Sequence, residues 1–158
     1  MQDAYLERIF RKITPKINES IKIAKDLGYK CESISPREFL DYMTGETVSG
    51  DRITLEDVLR NEFLMLHEVI EISELKKKGI KINKETLVNY SSSIIYEAHF
   101  TAVEYEIKYA FDRGDLAWIR LRLTHAKGWL KDENLPKRLT KKCELIIEEI
   151  LKHLSKTS

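Results

Sequence analysis

Apolar residues recur at spacings of three and four along most of the chain, the period of an α-helix with one buried face. Leu6, Ile9, Ile13, Ile17, Ile21, Ala24 and Leu27 form one such stripe over residues 3–27, which Gly28 should end. Thr14-Pro15 interrupts it. Thr suits a cap and Pro a first helical turn, so the pattern predicts either two helices or one kinked helix. Ser35-Pro36-Arg37-Glu38 reads as a capping box opening a short helix through Phe39, Leu40 and Met43, ending near Gly45. Residues 44–52 read as the most evident loop, with a short β-excursion as the alternative. Thr54 and Asp57 restart a helix that should run to about Lys78, where a basic last turn meets Gly79.

Asn83 caps the next predicted helix, which extends to about Phe111. Leu87, Tyr90, Ile94, Ile95, Ala98, Phe100, Val103 and Ile107 surround it almost completely, which marks a central helix. Asp115 caps a helix to about Lys131, with Gly128 inside it. A last helix over 137–154 carries Leu139, Cys143, Ile146, Ile147, Ile150 and Leu154. Five to seven helices with short connections predict an all-α fold: a multi-helix bundle or irregular helical array, with a long central helix near 84–111 and a single domain over 1–158.

Composition sharpens this picture. Only 6 Gly and 3 Pro in 158 residues favour long elements over a turn-rich β fold. A chain of this length should bury roughly 70% of its extended surface, enough for a core without staples. Cys31 and Cys143 lie far apart, and two reduced thiols are expected. The amphipathic start, MQDAYLERIFRK, lacks an apolar signal region, and no stretch approaches a membrane span. A cytoplasmic protein with no membrane partner is the expectation. The net charge of +1 hides an asymmetry: residues 51–112 sum to −4 and residues 113–158 to +5. An acidic middle and a basic end suit attraction within the fold, across a dimer, or toward a polyanion.

The sharpest chemistry lies at Glu62–Glu71. At about 100° per residue, His67, Glu71 and Glu74 share one narrow face, opposite Leu66, Val69, Ile70 and Ile72. Imidazole and carboxylate one turn apart converge well on a divalent metal ion. The run His67-Glu68-Val69-Ile70-Glu71 lacks the second histidine of the zinc-protease pattern. The central helix offers partners on two faces, Glu97, Thr101 and Glu104 on one, His99 and Glu106 on the other. His67, Glu71 and Glu104 make the candidate metal set. The competing expectation is an ordinary solvated face, or structural hydrogen bonds. Glu97, Glu104 and Glu106 on an apolar helix need partners, because an unpaired buried carboxylate is costly; Lys108 and nearby tyrosines are candidates.

The helix at 115–131 carries two further surfaces. Trp118, Arg122, His125 and Trp129 share a face that is expensive to leave in water. Tryptophan and arginine are enriched at interface centres, so this face predicts a homodimer or other partner contact, or cover by another helix. Arg113, Arg120, Lys127 and Lys131 line a second face, continued by Lys137 and Arg138, and suit a polyanion such as RNA. Arg120-x4-His125 resembles the Arg…His spacing of HEPN-type helical domains, with Leu121 where a polar residue is usual. That resemblance implies a dimeric ribonuclease with Arg120 and His125 in its cleft. A P-loop, a dinucleotide fingerprint, a CxxC pair and a nucleophile elbow are all absent from the sequence. The leading expectation is therefore a self-associating interaction or scaffold module. A metal-dependent enzyme or metal-binding protein comes second, and an RNA-binding or nuclease-like domain third.

Overall fold

A computed structural model describes residues 2–45 and 54–156; the predicted loop beyond residue 45 lies outside them. The described residues are all-α: eight α-helices and one 3-10 turn, with no strand among them. The first helix, α1 (Gln2–Asp26), is continuous through Pro15, which lies on the exposed side. Thr14 donates its hydroxyl to the Phe10 carbonyl at 2.7 Å. Ile13, Ile17 and Ala24 from the predicted stripe are buried, and Gly28 ends the helix with a φ of +90°.

The capping box at Ser35 forms as the sequence implies: Glu38 N–H donates to Ser35 Oγ, and Glu38 Oε1 accepts from Ser35 N–H, starting α2 (Pro36–Thr44). The expected helix over 54–78 is divided. Thr54 caps α3 (Leu55–Arg60), then Asn61 leaves the helical region and its side chain accepts from the Phe63 and Leu64 amides to open α4 (Glu62–Lys77). Asn61 is a strong cap, and a competing cap inside a periodic run is enough to split it. The helix expected over 84–111 is divided in the same way. Asn83 organises the short α5 (Thr86–Asn89) rather than the long helix, and Ser91 caps α6 (Ser92–Asp112). Then come α7 (Leu116–Leu130), capped by Asp115, the 3-10 turn Lys137–Leu139, and α8 (Thr140–Ser155).

Two helices share the centre. α4 and α6 pack on each other more extensively than any other pair, α1 covers α4, and α8 covers α7. Leu66, Val69, Ile70, Ile72 and Leu75 of α4 are all fully buried. Burial of each such side chain contributes roughly 1.5–3 kcal/mol. One apolar cluster joins α1, α2, α3 and α4; a second joins α6, α7 and α8 around Phe100 and Ile119. Where α4, α6 and α7 meet, the core turns polar.

Candidate metal centre

The polar core begins with His67, on the second turn of α4. The helix is apolar nearly all round, so its one polar stripe also points at a neighbour. His67 and Glu71 are 3% and 7% exposed, and the solvated face expected for them is not what the fold builds. Glu74, at the end of the stripe, is half-buried and accepts a hydrogen bond from Tyr29 Oη at 2.7 Å.

α6 supplies His99 and Glu106 to the same place. His67 Nε2 lies 3.4 Å from Glu71 Oε1, and His99 Nδ1 lies 3.3 Å from that same oxygen. These ligand-type atoms of His67, Glu71 and His99 all fall within 4.8 Å of one another. Tyr42 of α2 donates to the other Glu71 oxygen, Oε2. The side chain of His99 is 22% exposed, more than those of His67 and Glu71.

Behind His67 stand Glu106 of α6 and Trp118 and Arg122 of α7. His67 Nδ1 is 2.8 Å from Glu106 Oε1. Glu106 is completely buried, and Arg122 donates to both its oxygens, from Nη2 to Oε1 at 2.8 Å and from Nε to Oε2 at 2.7 Å. Trp118 Nε1 donates to Oε2 at 2.6 Å. Arg122 Cζ lies 5.7 Å from the Trp118 ring centroid and 5.5 Å from that of Trp129, and Nη1 donates to His125 Nδ1 at 3.1 Å. Trp129 also meets His99 edge-on.

Electrostatics follow from this packing. Burial alone would lower His67, yet the Glu106 and Glu71 carboxylates outweigh it and hold the imidazole up to about 10. Burial would raise Glu71, but the His67 and His99 imidazoles beside it pull it down instead. Glu106 is held at about 2, against its burial, by His67 and Arg122. Glu68, half-buried beside Glu71, is pushed up by burial and by that neighbouring charge. Burial pushes His99 down.

The structure thus merges two surfaces that the sequence presents separately. His67 and Glu71 meet the Trp118, Arg122, Trp129 face through Glu106, and His125 caps that face from the exposed side of α7. Glu104, the third residue of the candidate metal set, is elsewhere: its side chain is 44% exposed and pairs with Lys142 of α8 at 4.0 Å. His99 stands in its place, and the i, i+7 relation of His99 to Glu106 was the sequence signal for it. Lys108 pairs with none of the three carboxylates; Glu97 takes Lys78 and Arg138.

Of the basic residues, Arg113 pairs with Glu62 at 3.3 Å, and Arg138 bonds Ser93 and Glu97. Arg120, Lys127, Lys131 and Lys137 are exposed and form no ion pair among the described residues. Arg120 and His125 are both exposed on α7, and it is Arg122 that bonds His125. No family model, no curated protein and no solved structure matches the chain.

Proposed function

We propose that the protein binds a divalent transition-metal ion through His67 Nε2, Glu71 Oε1 and His99 Nδ1, in an open three-ligand centre. The observation that carries this reading is the pair of 3.4 and 3.3 Å separations around Glu71 Oε1. Charge-assisted N–H···O bonds close to about 2.7–2.9 Å, so these contacts are long for hydrogen bonds. Ligand atoms each about 2.0–2.1 Å from a tetrahedral zinc-type ion stand roughly 3.3–3.4 Å apart. The two spacings at Glu71 suit a shared ion better than shared protons, and the imidazoles of His67 and His99, within 4.8 Å of each other, would draw together on binding it.

Charge supports the same reading. With neutral imidazoles, the cluster sets the carboxylates of Glu68, Glu71 and Glu106 against the guanidinium of Arg122, an excess of two negative charges in a buried site. A divalent ion neutralises that excess. In its absence, protons on His67 and Glu68 would do so, and binding an ion would release them. Two nitrogens and one carboxylate oxygen suit zinc, iron or cobalt rather than calcium or magnesium.

Three protein ligands leave a coordination position, and His99, with 22% of its side chain exposed, is the ligand nearest solvent. Catalytic zinc sites have this form, whereas structural ones close with a fourth protein ligand. An ion here would hold a water or an exogenous donor atom and polarise it. The tryptophan face, which in the sequence favoured a self-associating module, serves the chain's own interior through Glu106, His99 and Phe100.

The test is elemental analysis of the protein purified without chelators or a histidine tag. Near-stoichiometric metal, lost in each of His67→Ala, Glu71→Ala and His99→Ala but retained in Glu104→Gln, supports the centre. A metal-free wild type that also takes up no added zinc, iron(II) or cobalt(II) rejects it.

A further inference from the structure

We infer that Glu106 and Arg122 are positioning residues that commit His67 to a single tautomer, so that it meets the ion through Nε2. The inference rests on the proposed metal centre and adds to it which residues outside the ligand set prepare the site.

The His67 ring has two neighbours on its Nδ1 side, Glu106 Oε1 at 2.8 Å and Arg122 Nη2 at 3.3 Å. The two make opposite demands: a carboxylate needs a proton on Nδ1, and a guanidinium N–H needs a lone pair there. The shorter contact decides. Two lone pairs facing each other at 2.8 Å without an intervening proton would repel, so Nδ1 carries hydrogen and donates to Glu106.

Glu106 is unable to reverse that role. It is completely buried, and each oxygen accepts twice: Oε1 from His67 and Arg122 Nη2, Oε2 from Arg122 Nε and Trp118 Nε1. The bidentate guanidinium fixes the plane of the carboxylate, and the Trp118 and Trp129 rings both pack near the guanidinium. A rigid relay therefore runs from α7 through α6 to α4. It leaves Nε2 as the only donor atom His67 can offer, aimed at Glu71 Oε1 and the ion position. Outer-shell carboxylates on metal-binding histidines serve this purpose generally, and their loss commonly weakens metal binding about 10–100-fold. Arg122 and Trp118 touch none of the three ligand atoms; Trp118 acts through Glu106, and Arg122 acts through Glu106 and at the Nδ1 side of His67.

The experiment measures cobalt(II) affinity and long-range proton–nitrogen correlations of the histidine rings in the full-length wild type, Glu106→Gln and Arg122→Lys, with circular dichroism checking the fold. The expected wild-type spectrum shows His67 protonated at Nδ1 and metal-bound at Nε2. In folded variants, cobalt(II) affinity should fall by about 10–100-fold and the ring should lose its single tautomer. Unchanged affinity together with an unchanged tautomer in either folded variant overturns the inference while leaving the metal centre intact. A wild type that binds no cobalt(II) instead overturns the centre itself. If both variants fail to fold, the wild-type spectrum decides alone: metal on His67 Nδ1 rejects the inference.

Discussion

Replacing Glu106 with Ala removes the acceptor on which α4, α6 and α7 converge. The carboxylate is fully buried and accepts four bonds, and Arg122, its main partner, is only 5% exposed. The substitution leaves a guanidinium buried without its counter-charge, which costs about 3–5 kcal/mol when one member of a buried pair is lost. The unpaired Trp118 and His67 N–H groups add to that, though less than additively, since all belong to one network. A domain of ordinary stability holds about 5–15 kcal/mol, so the loss is a large fraction of the whole. At roughly 2–4 °C per kcal/mol for a chain of this size, the midpoint should drop by about 6–20 °C. Urea denaturation in the presence of a chelator isolates this contribution from that of any metal. Glu106→Ala/Arg122→Met should recover part of the loss, because the uncompensated charge goes with the arginine; a coupling of about 1–3 kcal/mol is expected. A Glu106→Ala loss below about 1 kcal/mol, or additive single mutants, would refute the buried pair.

Three further outcomes follow from the same geometry. Asn61→Ala should cost about 0.5–2 kcal/mol in denaturant titrations, since its side chain caps both the Phe63 and Leu64 amides at the break between α3 and α4; no loss would mean that the break needs no cap. Gly45→Ala should lower the thermal midpoint although its φ of −75° is open to any residue, because a Cβ there would collide with the Lys84 carbonyl oxygen, and overpacking of this kind costs roughly 1–3 kcal/mol. In metal-free protein, the folded state raises His67 from 6.5 to about 10, so the stability this group contributes is complete below about pH 6.5 and is lost as pH climbs toward 10. Chemical denaturation across that range should show the decline in wild type and a shallower one in His67→Gln; equal slopes would contradict the assignment.

Much of the fold was legible in local pattern. The stripe in α1, the capping box at Ser35 and the Asp115 cap all act within a few residues, and each appears where its chemistry requires. The two divided helices were less legible, because Asn61 and Ser91 are cap residues embedded in runs whose apolar period continues past them. The site was legible as parts. The sequence shows that His67 and Glu71 share a face, that His99 and Glu106 share another, and that Trp118, Arg122 and Trp129 share a third. Which faces meet depends on interhelix packing, a non-local property that no spacing along one helix encodes. Hence Glu104, on the neighbouring face of α6, looked as eligible as His99. The burial of the α4 stripe was hidden for the same reason: polar residues opposite an apolar face suggest water, until a second polar face is placed against them.

The most direct test is a crystal structure of the protein loaded with cobalt(II) or zinc, with diffraction collected on both sides of the metal absorption edge. An anomalous peak about 2.0–2.2 Å from His67 Nε2, Glu71 Oε1 and His99 Nδ1 is the predicted result. No peak among these three atoms at full metal occupancy elsewhere, or a closed ring of direct hydrogen bonds in their place, would contradict the account.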